Sequence, residues 1–491
     1  MAKVYLIGAG PGDEELITQK AVRVLRNCTA VLYDRLANPS VLRHLGKDCK
    51  IYFCGKEPGC HYKSQEQIND MLVELAKQGH IVGRIKGGDP YIFGRGGEEA
   101  LRLQEEGIAF EVIPGITSAV SVLNYAGIPA THRGIAQSFH VFTGKSVDKL
   151  DISWEAAAKL KGTLIFLMGL ENIELITSQL IANGKDAGCS AAVIMNGTTS
   201  RQRKVIGTLK DICDKVKSAG FQSPCIIVIG EVVALNEKLS WFEQKPLFGC
   251  NVCITRSKEQ SSEIREMLQE LGAEVTEINT IEIVPTPDAL MPYFDKLTEY
   301  KYIVFTSVNG VNIFFDYLKE KNFDIRNIPS AIAAIGPATA QAIKKRGIIP
   351  AVMGEEFVAE ALFDALKGMV QAADNILIPR SKQARSFIVD KLREMGCNVD
   401  EAHIYDVIAG ELQEPKYFDQ ADYIVFTSPT TVRNLIAMVG VEKIKQKHNI
   451  AIGPITNTEL MKNDLNAVVC DEYSIDGVIN KLKMIRRGLD V

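Results

Sequence analysis

The second half of the chain contains the same set of short segments twice, and this repetition restricts its fold more than any other feature. The matching segments are TRSK and PRSK (residues 255–258 and 379–382), LGAEV and MGCNV (271–275 and 395–399), YIVFTS twice (302–307 and 423–428) and IGP twice (335–337 and 452–454). The distance between copies far exceeds the period of a solenoid repeat. The repetition therefore predicts an internally duplicated pair of α/β lobes.

The first hundred residues alternate short apolar runs with amphipathic segments. The apolar runs at 4–7, 30–33 and 81–85 are predicted strands. Between the first two runs, apolar residues share one helical face, and Asp13 is the predicted amino-terminal cap of that helix. A second helix is predicted to begin at Ser64, which forms a capping box with Gln67. This alternation predicts a mostly parallel sheet covered by helices.

Chain length and local composition indicate where the domains meet. At about 150 residues per domain, 491 residues predict three or four domains. A break is predicted within residues 236–249, where Trp241, Pro246 and Gly249 interrupt a charged stretch between two apolar runs. We therefore expect one domain set over residues 1–243 and another over 250–491.

Charge, hydropathy and cysteine usage exclude several classes of protein. A net charge of −4 argues against a nucleic-acid binder held by general basicity. No apolar run approaches the roughly 18 residues that cross a bilayer, so a soluble cytoplasmic protein without membrane contact is expected. The 11 cysteines are scattered among apolar neighbours and resemble reduced core thiols. One CxxC pair, Cys250 and Cys253, is too weak a pattern to predict a metal site, and none is expected.

Two glycine-rich segments each follow a predicted strand. The first, GAGPGD at 8–13, has Asp34 at the end of the next strand and superficially fits a dinucleotide-binding fingerprint. However, its third glycine comes one position early, and Pro11 removes a backbone donor that a pyrophosphate would need. The alternative is that the glycines only make tight turns between a strand and a helix. That would explain the loop at 8–13, but hardly a second glycine-rich loop at 86–89 as well. The carboxyl ends of strands in open α/β sheets are where ligands bind, so we expect a ligand site there.

Long motifs in the first half carry a resemblance to a known family. They are VYLIGAGPGDEELIT (4–18), YDRL (33–36), GRIKGGDPYIFGRGGEE (83–99), VIPGITSA (112–119), AGIPATHR (126–133) and SPCIIVIGEVV (223–233). In this order they resemble the uroporphyrinogen-III C-methyltransferases over nearly all of residues 1–243. The resemblance implies two α/β domains with a crossover near 115–130, S-adenosylmethionine in the cleft between them, S-adenosylhomocysteine as product, and usually a homodimer.

The resemblance also implies which residues hold the cofactor. They are Pro11, Gly87, Gly88, Asp89, Ile92, Thr117, Ser118, Met168 and Gly197. Gly87 and Gly88 would let the backbone approach the adenosyl group, and Asp89 would accept from the amino-acid ammonium. Met168 would pack on the adenine, although plain core packing explains this residue equally well.

For the chemistry, the resemblance implies Asp34 as proton acceptor and Lys56 as proton donor. The alternative for Asp34 is a capping or salt-bridged acid, and for Lys56 a solvated lysine. Uroporphyrinogen carries eight carboxylates, for which the candidate ligands are Arg35, Arg84, His132 and Arg133. One departure concerns Lys145, which stands where the family commonly has histidine, so the role of that position stays open.

The second half resembles uroporphyrinogen-III synthase, a family with short motifs. The matching segments are TR (255–256), FTSVNGV (305–311), AAIGPATA (333–340), IPR (378–380) and FTSPTTV (426–432). The resemblance implies two α/β lobes joined by a two-stranded connection, each drawing its first segment from one end of the chain. These lobes close over hydroxymethylbilane and make uroporphyrinogen III without a cofactor.

The candidate residues of the synthase lie at predicted strand ends. They are Thr255, Arg256, Ser307, Arg380, Thr427 and Ser428, with Tyr405 as proton donor to the leaving hydroxyl. They would mainly hold a polyanion in one bent shape and stabilise developing charge. Each of the first six is equally well explained as a helix cap or turn residue.

Together the two halves predict an enzyme that cyclises hydroxymethylbilane and then methylates uroporphyrinogen III twice to give precorrin-2. Two alternatives remain at this stage. The methyltransferase fold also serves later corrin-ring steps and a protein substrate, and the second half has the duplicated layout of a regulatory ligand-binding module. The sequence leaves open whether the product feeds cobalamin, sirohaem or a haem variant.

Overall fold

The computed structural model describes residues 2–55, 64–145, 150–255, 262–354, 359–410 and 418–488. The chain divides into two compact units. The first contains Met1–Val252, Arg265–Val275 and Ile479–Val491, and the second contains Cys253–Ile264 and Thr276–Val478. Within these described ranges, no helix combines the length and the apolar character needed to cross a membrane.

The chain begins with a five-stranded parallel sheet in the order β3-β2-β4-β1-β5. Its strands are β1 (Lys3–Gly8), β2 (Ala30–Tyr33), β3 (Lys50–Phe53), β4 (Ile81–Lys86) and β5 (Phe110–Ile113), and its helices are α1 (Gln19–Leu25), α2 (Gln65–Lys77) and α3 (Gly96–Glu105). The parallel sheet and the three strands expected in this region are confirmed. Gly8 pairs with Lys86, and Tyr33 with Ile85, so both glycine-rich segments and Asp34 leave the sheet at one edge.

Two helix starts were predicted in this sheet, and one differs from the structure. The capping box of α2 is confirmed, because Ser64 Oγ accepts from Gln67 N and the Gln67 side chain accepts from Ser64 N. The prediction for Asp13 was wrong: it caps a short 3-10 turn, whereas α1 is capped by Thr18. A turn of 3-10 helix lies between the two caps, so the apolar face continues across a break that periodicity alone does not show.

A second, mixed sheet follows in the order β6-β7-β10-β8-β9. Its elements are α4 (Ser118–Tyr125), β6 (Phe139–Thr143), α5 (Trp154–Lys159), β7 (Thr163–Leu167), α6 (Ile173–Ala182), β8 (Ser190–Met195), β9 (Arg203–Thr208), α7 (Ile212–Ser218), β10 (Cys225–Ile229) and α8 (Asn236–Leu239). Only β6 and β7 are parallel, and the other neighbours are antiparallel. Helix α4 lies within the crossover expected at 115–130.

The repeated half forms two further sheets. The first contains β11 (Asn251–Ile254), α9 (Ser262–Glu270), β12 (Glu274–Glu277), β19 (Tyr423–Phe426), α15 (Pro429–Val439), α16 (Val441–Lys445), β20 (His448–Ala451), α17 (Pro454–Lys462), β21 (Val468–Val469) and α18 (Ile475–Arg486). The second contains β13 (Ile281–Pro285), α10 (Met291–Phe294), β14 (Tyr302–Phe305), α11 (Val308–Glu320), β15 (Ala331–Ala334), α12 (Pro337–Lys345), β16 (Val352–Met353), α13 (Ala359–Leu366), β17 (Asn375–Ser381), α14 (Phe387–Glu394) and β18 (Asn398–Ala409).

The strand orders of these two sheets confirm the duplication. One sheet is β12-β11-β19-β20-β21, and the other is β13-β18-β17-β14-β15-β16. Apart from the edge strand β13, each repeated segment takes the same place in both sheets. The first lobe combines segments from both ends of this half, whereas the second is one continuous insertion. The expectation that each lobe draws its first segment from an end of the chain is thus met by the first lobe only.

Candidate active sites

The loops that leave the first sheet meet at Gly88, which is half-buried. Gly88 N donates to Gly10 O at 2.6 Å, and Gly10 N donates back to Gly88 O at 3.3 Å, which fixes the two glycine-rich segments against each other. Gly88 has φ +69°, and a Cβ placed on it would lie 3.9 Å from Ser118 N and 4.0 Å from the Thr117 Cα. A methyl group at this position would therefore make ordinary van der Waals contact with the start of α4 and would not clash. We call residues 86–89 the cradle loop, because a ligand can approach a backbone that carries no side chain closely.

Other glycines of the predicted cofactor site have a packing explanation. A Cβ on Gly87 would lie 2.8 Å from Leu36 O, and one on Gly197 would lie 2.3 Å from Val122 Cγ1. Both positions therefore need glycine whether or not a cofactor is bound. Their predicted contact with the cofactor stays a prediction, whereas at Gly88 an added Cβ would not clash with the protein.

Residues that follow the carboxyl ends of β7 and β8 have an unusual backbone conformation. Met168, Asn196 and Thr198 all have positive φ, at 56°, 50° and 68°, a conformation that costs a residue with a side chain about 1 to 3 kcal/mol. Strained residues of this kind cluster at ligand sites. Met168 and Ile92 are 44% and 43% exposed, which leaves two apolar side chains available to a ligand.

Asp13 links the loop of Pro11 to the second sheet. Its backbone N donates to Thr198 Oγ1 at 3.0 Å, and its carboxylate accepts from Tyr125 Oη at 2.7 Å. Burial, followed by the contact with Asp13, raises the pKa of Tyr125, so this hydroxyl stays a donor. Half-buried Pro11 thus lies between two anchored residues, Gly10 and Asp13.

Asp89 is fixed by the backbone around it. Its Oδ1 accepts from Tyr91 N at 2.8 Å, and its Oδ2 accepts from Gly115 N at 3.0 Å. A carboxylate has about four acceptor positions, so Asp89 retains capacity for a ligand ammonium. Its predicted role is compatible with these contacts but is not tested by them.

Asp34 is held by a group of buried charges. A single nitrogen of Arg84, Nη2, lies 2.8 Å from both oxygens of the Asp34 carboxylate. Arg84 Nε donates to Glu99 Oε1 at 3.0 Å, and Lys86 Nζ donates to the same oxygen at 2.8 Å. Arg84, Lys86 and Glu99 are 2%, 3% and 0% exposed. Asp34 is therefore salt-bridged and yet 30% exposed through its side chain, which leaves it accessible.

Opposite charges compensate the burial of these groups. Burial alone would lower the pKa of Arg84, but Asp34 and Glu99 raise it above its ordinary value. The pKa of Lys86 is lowered, first by burial and then by Arg84. Arg84 was expected to bind substrate carboxylates, and that expectation needs correction: it is buried, and all three of its nitrogens already have protein acceptors.

The other predicted substrate ligands of the first half lie on the surface. Arg35, His132 and Arg133 are exposed, and their role as ligands of substrate carboxylates stays a prediction. Lys145 is 62% exposed through its side chain and 4.0 Å from Glu171, on the border of a cavity of about 310 Å³ that also contacts Phe93. Lys56 lies outside the described residues.

In the synthase half, Tyr405 is the centre of a buried polar group. It is 6% exposed, and its hydroxyl lies 2.7 Å from Ser307 Oγ. Burial raises the pKa of Tyr405, while hydrogen bonds to Ser307 and Ser381 oppose this shift. A register shift between Arg380 and Ser381 sets Ser381 opposite Tyr405. The phenol is therefore kept protonated and oriented, as a proton donor must be.

The remaining synthase candidates have structural contacts. Arg380 is 1% exposed and donates to Arg385 O at 2.5 Å, with Glu401 Oε2 at 3.4 Å. Ser307 and Ser428 cap α11 and α15, and Thr427 is half-buried beside the second cap. Thr255 is fully buried and donates to Val425 O at 2.8 Å. Arg256 lies outside the described residues, and the substrate-binding roles of all six stay predictions.

Sequence reasoning missed three residues of the first site: Lys86, Glu99 and Tyr125. Glu99 stands in the GRGGEE segment beside an exposed glutamate, and nothing in the sequence marks the one that is buried. Over the described part of the chain, no three His, Cys, Asp or Glu residues form a group suited to a metal. Cys250 and Cys253 are both buried, and burial raises the pKa of Cys253 to about 12.

Comparison with known proteins assigns both halves. Residues 3–213 match the family described as Tetrapyrrole (Corrin/Porphyrin) Methylases, and residues 262–480 match Uroporphyrinogen-III synthase HemD. The Porphyrin biosynthesis protein HemD of Ruminiclostridium josui is 37% identical over 99% of this chain and 98% of its own length. The Uroporphyrinogen-III C-methyltransferase of Priestia megaterium is 48% identical over 48% of this chain and 99% of its own length.

Among solved structures, the chain is similar to the Uroporphyrin-III C-methyl transferase of Thermus thermophilus complexed with S-adenyl homocysteine. The two are 36% identical, with a TM-score of 0.42, and the match covers 48% of this chain and 99% of that one. The two family matches and the full-length relative show that two enzyme types, a tetrapyrrole methylase and a uroporphyrinogen-III synthase, are joined in one bifunctional tetrapyrrole enzyme. The chain belongs to the family of the porphyrin biosynthesis protein HemD.

Proposed function

We propose that residues 250–491 convert hydroxymethylbilane to uroporphyrinogen III and that residues 1–243 methylate this product twice with S-adenosylmethionine, giving precorrin-2. The observation that carries the proposal is the edge of the first sheet, where an accessible carboxylate, Asp34, and the cradle loop with Gly88 follow neighbouring strands. Methylation of an electron-rich carbon needs these two elements: a place for the methyl donor and an acceptor for the proton that is lost.

The residues around the cradle loop fit the cofactor. Gly88 has no side chain that would keep the cofactor away from its backbone. Asp89 has acceptor capacity for the ammonium group, and Met168 presents an exposed thioether for the adenine. When bound, S-adenosylmethionine supplies an activated methyl group on a sulfonium. The chain itself aligns donor and acceptor and excludes water, which is where most of the acceleration should arise.

The proton balance of methylation falls on Asp34. For each methyl gained, the macrocycle loses one proton, and Asp34 is the accessible carboxylate that accepts it. Arg84 keeps that carboxylate in one orientation. The exposed Arg35 and Arg133 bind substrate carboxylates, at about 1.5 to 3 kcal/mol for each charge-assisted hydrogen bond.

The synthase half works through Tyr405. Its phenol donates a proton to the leaving hydroxyl of the linear tetrapyrrole, which departs as water and leaves a cationic substrate. The ring closes after the last pyrrole is inverted, and the proton that the macrocycle then loses restores the phenol. Ser307 orients the phenol at 2.7 Å. The substrate is reactive by itself, so holding its carboxylates in one bent shape contributes more than any single proton transfer.

One assay of the whole protein tests both activities. Hydroxymethylbilane is supplied with and without S-adenosylmethionine, and the products are oxidised and separated by chromatography. We expect the type III porphyrin without S-adenosylmethionine and a dimethylated product with it. Formation of only the type I isomer would refute the synthase assignment, and a monomethylated end product would refute the second methyl transfer.

We also propose that the methyltransferase half forms a homodimer, as its family resemblance implies. Light scattering of the purified chain at several concentrations measures this directly. A mass equal to one chain of 54.0 kDa at all concentrations would refute it.

A further inference from the structure

The buried charges behind Asp34 carry a further inference, which rests on the proposed function. Glu99 is completely buried, and it is surrounded by two buried cations, Arg84 and Lys86. Removing ions from water is costly, and apolar residues of similar size would often give equal or greater stability. A buried ionic group of this size therefore points to a role other than stability.

The geometry points to what that role is. Glu99 Oε1 accepts from Arg84 Nε, Lys86 Nζ and Gln65 Nε2, the last at 3.1 Å. Arg84 uses its Nε for Glu99 and its Nη2 for Asp34, so the guanidinium spans the distance between the two carboxylates. Since a guanidinium is planar and rigid, fixing one side of it fixes the other.

The support for Glu99 is itself rigid. Glu99 lies in the first turn of α3, where a carboxylate is favoured by the helix dipole. The start of that helix is held by Gly96 N, which donates to Pro90 O at 3.0 Å. Pro90 follows Asp89, so this hydrogen bond ties the start of α3 to the end of the cradle loop.

We propose that Glu99 is a positioning residue for methyl transfer: through Arg84 it holds the Asp34 carboxylate in place to receive the proton from the macrocycle. Glu99 also shares the charge of Arg84. The positive charge of Arg84 beside Asp34 is therefore shared between two carboxylates.

The test is a double-mutant cycle between Glu99→Gln and Asp34→Asn, read by the steady-state kinetics of uroporphyrinogen III methylation. Glu99→Gln keeps the shape of the side chain and removes its charge. We expect at least a tenfold fall in kcat, with the KM for uroporphyrinogen III and the affinity for S-adenosylhomocysteine unchanged. In the Asp34→Asn background the same change should alter kcat less than twofold, because Glu99 acts only through Asp34.

Controls separate the possible failures. Glu105→Gln removes a carboxylate of 69% side-chain exposure from the same helix and should leave kcat unchanged. If Glu99→Gln does not fold, Arg84→Lys, which cannot reach both carboxylates, should show the same coupling to Asp34→Asn. Additive effects of Glu99→Gln and Asp34→Asn, or an unchanged kcat in Glu99→Gln, would overturn the inference. A wild-type enzyme that does not methylate uroporphyrinogen III would instead refute the proposed function.

Discussion

Replacing Gly88 by alanine tests whether the cradle loop holds the cofactor. The added Cβ would lie 3.9 Å from its nearest protein atom, so the folded protein has room for it. Its cost to folding is the left-handed backbone at φ +69°, about 1 to 2 kcal/mol for a residue with a side chain. The Cβ would occupy the space that the cofactor needs. We expect at least a tenfold loss of S-adenosylhomocysteine affinity, which corresponds to about 1.4 kcal/mol.

A matched control is available at Gly107. Its φ is +67°, and a Cβ placed on it meets nothing within 4 Å. Gly107→Ala therefore carries the same backbone strain at a position that faces open space. Both variants should lose a similar amount of thermal stability, but only Gly88→Ala should lose cofactor affinity in calorimetry.

A larger side chain should increase the effect without touching the synthase. For Gly88→Val a steric cost of about 3 kcal/mol means a loss of over a hundredfold. Given hydroxymethylbilane and S-adenosylmethionine, this variant should accumulate uroporphyrinogen III, detected after oxidation as the type III porphyrin. Unchanged affinity and methylation in both Gly88 variants would remove the cofactor from this loop.

Three further results are expected. Tyr405→Phe should slow the synthase without abolishing it. Complete loss of activity in a Tyr405→Phe variant with unchanged circular dichroism would contradict this. Because burial raises the pKa of Tyr405 above its ordinary value of 10.0, the wild type should show no loss of synthase activity from Tyr405 ionisation as the pH rises to 9. A fall in wild-type activity below pH 9 that Tyr405→Phe removes would contradict this second expectation. Cutting the chain near Pro246 should give two active halves, and two insoluble, inactive fragments would show that the boundary is wrong. Gly115→Ala should unfold the methyltransferase half, because its Cβ would lie 2.1 Å from Gly88 O, while a normal melting temperature would show that the loops can separate.

Local patterns in the sequence correctly predicted where the strands of the first sheet end, because a strand end depends mainly on residues that are neighbours along the chain. The strands that precede Gly8, Asp34 and Lys86 were predicted from short apolar runs, and their parallel pairing brings the three loops together. The capping box at Ser64 was predicted for the same reason. Asp13 was misplaced because an acid before an apolar face fits a 3-10 turn and a helix equally.

Long-range contacts were not predictable from the same patterns. Arg84 was expected on the substrate because an arginine at a strand end suits a polyanion. What decides its role is Glu99, 15 residues further along the chain, whose burial depends on how α3 packs on the sheet. Likewise, Tyr125 is 112 residues from Asp13, so no spacing rule connects them.

The duplication of the synthase half explains why its site is only partly symmetric. Ser307 and Ser428 are equivalent positions, and each caps a helix whose amino terminus favours anions, which would suit the carboxylates of the proposed substrate in either lobe. Tyr405 has no such partner. The spacing that relates PRSK to TRSK relates Tyr405 to Ile281, which begins β13 and has no side-chain polar atom. The proposed proton donor therefore exists in one lobe only. This suits a linear substrate in which only one end carries the hydroxyl that must leave.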